Sequence, residues 1–261
     1  MPSTLPRIHP TAIVHKDARL ADGVTIGPYT LVDEFVELGE GTTVGPHVHL
    51  TGHTKIGKRN RIFTGAVLGS EPQDVKFAGE TTYVEIGDDN VIREFVTVNP
   101  GTGEGNKTLV GNGNWLMMST HVAHDCVVGN YCKLANLASM AGHVRIDDYA
   151  IIGGTTPIHQ FVRIGRYSMV GGGLRVPQDV VPYTLAGGQP LQAGGINQVG
   201  LERNGFSPER IKTLKDAYKV IFRKKLTLLE AIAALKSDFP ANDDMAYLIE
   251  FLSTSTRGIT R

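Results

Sequence analysis

The sequence predicts a mainly β protein, a parallel β-helix followed by an α-helical C-terminal cap. Three observations carry that prediction. Starting at Ile8, aliphatic residues recur every six positions through Val14, Leu20, Ile26, Val32, Leu38, Val44, Leu50, Ile56, Ile62 and Leu68. The same phase returns at Ile86, Ile92 and Val98, and again from Val110 through Leu116, Val122 and onward to Val176. Four residues after many of these stands a small or β-branched residue, as at Ala66, Cys126, Cys132, Ala138 and Thr156. Finally, 31 glycines beside a single tryptophan suit a backbone that turns tightly and often, rather than a helical bundle.

An ordinary β-sandwich alternates with period two and cannot hold one six-residue phase for so long. A coil of three six-residue faces can. The aliphatic position then fills a triangular interior and the small residue fits beside it. Roughly nine coils at ~4.8 Å each would make a prism about 40 Å tall. Such a solenoid cannot bury its own ends, so a cap is expected. The pattern resembles the hexapeptide-repeat family of left-handed β-helices. It is this resemblance, not the spacing, that implies the left hand against the usual right-handed crossover.

Lys plus Arg and Asp plus Glu number 26 each, so no overall charge draws the chain to nucleic acid or to an anionic membrane. Cys126 and Cys132 read as small interior side chains, because two cysteines make neither a disulfide framework nor a ligand set. Residues 1–7 lack the basic-then-apolar form of a signal peptide, and no apolar run reaches membrane-spanning length. A cytoplasmic location is expected.

Two stretches, residues 69–85 and 99–109, interrupt the aliphatic phase without shifting it. The first places Gln73, Asp74 and Lys76, an amide, an acid and a base, in one exposed loop, and binding residues concentrate on such loops carried by rigid scaffolds. The second reads as a tolerated surface excursion.

If residue n lies under residue n+18, His124 sits beneath Gly142 and Gly142 beneath Gln160, with His143 and His159 one position off that column. These histidines should cluster at one edge within about 10 Å, with His121 close by. His9, His15, His47, His49 and His53 fall in lower coils and read as surface residues. Two chemistries compete for the cluster. One is general-base catalysis near neutral pH, which imidazole suits. The other is a zinc site of the kind a carbonic anhydrase of related fold builds from histidines. The offset of His124 from His143, and neighbours that suit a sugar, favour the base, and no metal or cofactor is expected. Gly142 is either a turn glycine like many others here or a point of close backbone approach whose N–H can hold an oxyanion.

The repeat ends near residues 177–182, and a Gly-rich passage fills residues 183–206. Ser207 with Pro208 is an N-cap and first-turn proline, followed by Ile211, Leu214, Tyr218, Ile221 and Phe222 on one apolar face. Thr227 and Glu230 form a capping box for a helix over 228–235, and Asn242 starts a third helix with Met245, Leu248, Ile249 and Leu252 inward. Residues 1–190 are therefore expected to form the β-helix and 191–261 a helical domain. The apolar helix faces would pack on the prism and on sister subunits.

The ordered motifs QDVK (73–76), HVAHDC (121–126), AGHV (141–144), IIGG (151–154) and HQF (159–161) run across the chain. They are followed by Gly195-Ile196-Asn197, Gly200-Leu201-Glu202-Arg203 and a closing STRG (255–258). Together they resemble the UDP-N-acetylglucosamine acyltransferase family over essentially the whole length. That resemblance implies a homotrimer with sites in the clefts between subunits. It also implies transfer of a 3-hydroxyacyl chain from acyl carrier protein to the 3-position of the sugar of UDP-N-acetylglucosamine, the first step of lipid A biosynthesis.

Carried onto this sequence, His124 matches the general base, Asp125 the acid paired with it, and Gly142 the oxyanion donor. Gln73, Asp74, Lys76, His121, His143, His159, Gln160 and Asn197 match residues that hold the nucleotide sugar, with Arg203 near the phosphates. Met169, Gly172 and Pro190 fall at the acyl groove. No Ser or Cys stands where a nucleophile would be needed, so direct attack on the thioester is implied. Neighbours in a strand point to opposite faces, so pairing Asp125 with His124 needs a corner.

There are departures from the family pattern. Val199 and Asn204 stand where an acid and a second arginine are common, and Pro190 replaces a residue at the far end of the groove. The small Gly172 leaves room for a longer chain. A 3-amino analogue of the sugar is the alternative acceptor. A sister N-acylating enzyme carries an extra N-terminal domain, for which a repeat starting at Ile8 leaves no room. Acyl carrier protein is acidic, so a basic strip of Arg210, Lys212, Lys215, Lys219, Arg223, Lys224 and Lys225 is expected to receive it.

Overall fold

The computed structural model describes residues 5–261, so the first four residues of the segment read for a targeting signal lie outside the description. The repeat folds as a three-faced prism. Nearly every strand is two residues long and pairs in parallel with its counterpart one coil on, as Trp115 does with Lys133 and Lys133 with Ile151. The first face holds eleven strands, from Arg7–Ile8 to Gln192–Ile196. The second holds eight, from Ile13–Val14 to Pro157–Ile158, and the third eight, from Arg19–Leu20 to Arg163–Ile164.

The six-residue phase is the core. From Ile26 upward the aliphatic positions are buried, and a buried side chain of this size stabilises by about 1.5–3 kcal/mol. The small positions Ala66, Cys126, Cys132, Ala138, Thr156 and Ser168 are fully enclosed beside them. Burial pushes both cysteine thiols up to about 12, which keeps them inert, as their reading as interior side chains requires. In the lowest coil, Ile8 and Leu20 remain partly open because that coil has a neighbour on one side only.

Most corners are turned by a residue in the left-handed region. Nine of these, from Ser119 to Tyr167, follow one another every six residues with φ between 54° and 63°. None is glycine. The conformation is unfavourable for a side-chain-bearing residue, and an inter-coil hydrogen bond holds it. The amide of Tyr131 donates to Asn112, that of His143 to His124, and that of Phe161 to Gly142.

The two interruptions leave the coil without disturbing it. Val67 pairs with Thr97 across the first, and Thr97 with His121 across the second. Strands begin at Tyr83 and Lys107, inside the stretches expected to be loop, so the excursions proper are residues 69–82 and 99–106.

Above the last coil, the Gly-rich passage is more ordered than the sequence indicates. Strand Thr184–Gly187 adds in parallel to Met169–Val170 and turns back antiparallel into Gln192–Ile196. Helix α1 (Gln198–Arg203) follows, then α2 (Pro208–Phe222), α3 (Leu228–Asp238) and α4 (Asp243–Ser253). The expected caps are all made: Ser207 accepts from the Arg210 amide, Thr227 and Glu230 close a capping box, and Asn242 accepts from the Met245 amide. The helices share a second apolar core with Val181 and Tyr183. Arg166 ties them to the prism, with its Nε donating to the Tyr183 hydroxyl at 2.6 Å and its guanidinium 4.0 Å from the centre of the Tyr247 ring.

Candidate active site at one edge of the prism

The edge between the second and third faces carries His124, Gly142 and Gln160 in one column, and Asp125, His143 and Phe161 in the next. Asp125 has φ 58°, and this resolves the difficulty of the adjacent pair. The left-handed turn swings Asp125 to the same side as His124, and Asp125 Oδ2 lies 2.9 Å from His124 Nδ1. An ionised carboxylate only accepts, so the Nδ1–H donates and the Nε2 lone pair is left for chemistry. The side chains of His124 and Asp125 are 15% and 9% exposed, dry enough to strengthen the pair while leaving one face of the ring accessible.

Gly142 is required by space. A Cβ there would fall 2.3 Å from both Cε1 and Nε2 of His124, so the imidazole lies flat against this backbone only because no side chain intervenes. Among the described residues the Gly142 N–H has no partner, and it borders the cleft. His143 packs edge-on to His124 at 5.1 Å between centroids and stacks on Phe161 at 4.6 Å.

The first excursion folds over this edge. Gln73, Asp74 and Lys76 line a cleft of about 570 Å³ together with His124, Gly142, His143 and Gln160, as the sequence predicts. Asp74 Oδ2 stands 3.9 Å from His124 Nε2. His121 lies on the second face with Nδ1 2.7 Å from the Thr97 hydroxyl oxygen. Burial first, and then the neighbouring His124, hold its pKa below the ordinary histidine value.

The remaining predicted residues lie elsewhere on this chain. His159 turns toward the C-terminal tail, its Nδ1 3.1 Å from Arg257 Nη2. Met169 is on the first face and Gly172 at the edge between the first and second faces, beside the Gly154 backbone. Pro190 lines a separate cavity with Leu174, Arg175 and Arg261. Asn197 is buried as the N-cap of α1, accepting from the Gly200 amide and donating to the Tyr167 carbonyl at 2.9 Å. That places it at the edge between the third and first faces. Arg203 is exposed at the end of α1, Asn204 caps that helix, and Val199 is exposed in its first turn. Of the basic strip, Arg210 is held by Asp244 at 2.9 Å and Lys219 by Asp216 at 2.7 Å, so neither is a free charge.

Two residues were missed from sequence. Thr102, in the second excursion, donates to Asp125 Oδ2 through its hydroxyl at 2.7 Å and its amide at 3.0 Å. Asn99 is buried at the cleft floor, gives its amide to Ser70 at 3.0 Å, and leaves Oδ1 without a partner. Thr102 is hidden by its distance from the repeat register, since a loop's path is not set by the coil, and Asn99, one residue past Val98, by facing a loop whose path the coil does not set. His124, Asp125 and His143 also bring three ligand-type atoms within 4.8 Å of one another. Asp125 Oδ2 is already occupied by Thr102 and His124, so the cluster reads as a hydrogen-bonded carboxylate–imidazole pair rather than a metal centre.

Comparison with known proteins gives one consistent result. The family described as Udp N-acetylglucosamine O-acyltransferase, Domain 2, matches residues 179–260, and Bacterial transferase hexapeptide (six repeats) matches 107–142. An acyl-(acyl-carrier-protein)–UDP-N-acetylglucosamine O-acyltransferase of Thiobacillus denitrificans is 50% identical over 97% of this chain and 99% of its own. One of Myxococcus xanthus is 48% identical over 98% of this chain and 99% of its own. Among solved structures, the Acinetobacter baumannii enzyme of this type superposes with a TM-score of 0.94 at 44% identity, covering 97% of this chain and 99% of that one. The UDP-N-acetylglucosamine acyltransferase of Arabidopsis gives 0.85 at 33%, covering 97% and 100%. The coil has the left hand of these neighbours.

Proposed function

This chain belongs to the UDP-N-acetylglucosamine O-acyltransferase family, and from that premise we propose how it works. It transfers an acyl chain, a 3-hydroxyacyl in this reading, from acyl carrier protein to the sugar of UDP-N-acetylglucosamine, in lipid A biosynthesis. His124 Nε2 takes the proton of the sugar 3-hydroxyl as its oxygen attacks the thioester carbonyl. The oxyanion so formed accepts from the Gly142 N–H. On collapse the C–S bond breaks, and the departing carrier thiolate receives that proton from Nε2. No acyl-enzyme forms. The observation that carries this reading is the 2.9 Å Nδ1 contact with Asp125, which leaves Nε2 bare toward the cleft against a glycine backbone.

Gln73, Asp74, Lys76, His143 and Gln160 hold the nucleotide sugar around it, helped by His121, and Arg203 meets the phosphates. Asn197 and His159 enter from flanking positions. Three prism edges carry three different parts of this inventory, the histidines, Gly172 and Asn197, and a single chain cannot bring them together. A threefold assembly can, by setting one copy's edge against its neighbour's, and we therefore place the site between subunits of a homotrimer. Met169, Gly172 and Pro190 then line the acyl groove. Up to residue 190 the described β-helix supplies the frame, and residues 191–261 supply the capping domain. No described helix is long and apolar enough to cross a membrane, and work in the cytoplasm on a carrier-borne donor accords with that.

The test is transfer from a series of 3-hydroxyacyl carrier proteins to UDP-N-acetylglucosamine. We expect native transfer and a loss of about a hundredfold or more in His124→Ala. Replacing Lys212 and Lys215 by Glu should raise the KM for the carrier-linked donor. No transfer by the native protein from any donor would overturn the reading.

A further inference from the structure

We propose that Thr102 sets the tautomer of His124, acting as a positioning residue from the second excursion; this rests on the reading of His124 as the base. The imidazole stands between two carboxylates. Asp125 Oδ2 is 2.9 Å from Nδ1, and Asp74 Oδ2 is 3.9 Å from Nε2. A neutral ring has one N–H. If it sits on Nδ1 it faces Asp125 and the base is ready; if on Nε2 it faces Asp74 and the lone pair points away from the cleft.

Of the two carboxylates only Asp125 lies within hydrogen-bond distance of the ring, and Thr102 is placed to keep it there. Its amide and hydroxyl donate to the same Oδ2 that His124 uses, at 3.0 and 2.7 Å. Two donors from one rigidly joined residue fix that oxygen in the plane where Nδ1–H meets it. An ionised carboxylate accepts from every donor around it and donates to none. The hydroxyl itself lies 3.4 Å from Nδ1, but with its hydrogen committed to Asp125 it gives the ring no competing proton. His143 Nε2, at 3.8 Å from Oδ2, and Asp74 complete the charged and titratable surroundings of the pair, with Lys76 across the cleft. The second excursion is thus part of the machinery, not a bystander.

The test pairs a spectrum with kinetics on the full-length protein. Imidazole ¹⁵N shifts are recorded for native, Thr102→Val and Thr102→Ser, and transfer is measured for each. The native His124 should show protonated Nδ1 and bare Nε2. Thr102→Val should shift that population toward Nε2–H and lower kcat about tenfold with KM for the nucleotide sugar unchanged. Thr102→Ser should restore both. If Thr102→Val does not fold, Thr102→Ala removes the same hydroxyl. A native spectrum retained in the hydroxyl-free variant, or a serine variant as slow as valine, overturns the proposal. A native protein without transfer activity would defeat the functional reading alone, because the spectrum would still report the tautomer.

Discussion

Two edges of this prism share one backbone and hold opposite contents. At the edge between the third and first faces, like stacks on like. Tyr131, Tyr149 and Tyr167 overlap at 5.0 and 4.7 Å, and the ladder of Asn60, Asn90 and Asn114 runs beneath with its amides bonded coil to coil. At the edge between the second and third faces the columns are broken. A glycine interrupts the histidine column, Asn99 Oδ1 and the Gly142 N–H are left open, and three donors crowd one oxygen of Asp125. The turn conformation is the same at Tyr131 and Asp125, with φ 56° and 58°. What separates the two over these coils is whether the side chains repeat, because repetition pairs the polar groups of the ladder with one another.

Substitutions at the two edges should therefore fail in different ways. The largest effect is expected for Gly142→Ala, whose methyl would displace the His124 ring and lower kcat by about a hundredfold, with the melting temperature close to native. Unchanged turnover would break the contrast. Next comes Asn90→Ala on the laddered edge. It strands the Asn114 amide and the Gly111 carbonyl, at about 1–3 kcal/mol per buried group, read from denaturant unfolding. Transfer well below the melting temperature should continue at the native rate.

The smallest effect concerns the top of the tyrosine column, where Tyr183 hands over to Asp244. Burial alone would raise the Asp244 carboxyl, but the Arg210 guanidinium and the Tyr183 hydroxyl bring it below the ordinary value. A depressed carboxylate stabilises the fold above its unfolded value of about pH 4, and that contribution fades as pH falls through the lower folded value. Denaturation midpoints followed downward through that range should fall more steeply for the native protein than for Asp244→Asn. Parallel curves would detach the clamp from the stability of the laddered edge.

The histidine edge was readable, since an eighteen-residue coil turns sequence spacing into stacking, whereas the Asn ladder spans the two longer coils and its members stand 30 and 24 residues apart. Gly142 over His124 follows from that arithmetic alone. The Asp125 pairing does not, because it depends on a left-handed turn whose residues share no identity: Ser, Asp, Tyr, Leu and Thr all occupy it. Arg210 reads as a docking charge until α4 folds Asp244 against it from 34 residues away. Asn197 carries a helix-capping signal three residues before Gly200, which the glycine-rich passage conceals.

The excursions have a consequence for how the chain folds. Closing an ordinary coil joins positions eighteen residues apart, as at His121 and Ser139. Closing the coil that carries Gln73, Asp74 and Lys76 joins positions thirty apart, as at Val67 and Thr97. Loop-closure entropy grows only with the logarithm of length, so the longer coil costs about 0.5 kcal/mol more than its neighbours. The coil that bears Thr102 costs about half that. Coils can therefore zip past both without a kinetic pause. The excursions can therefore lengthen or shorten at little cost while the prism beneath them keeps its register.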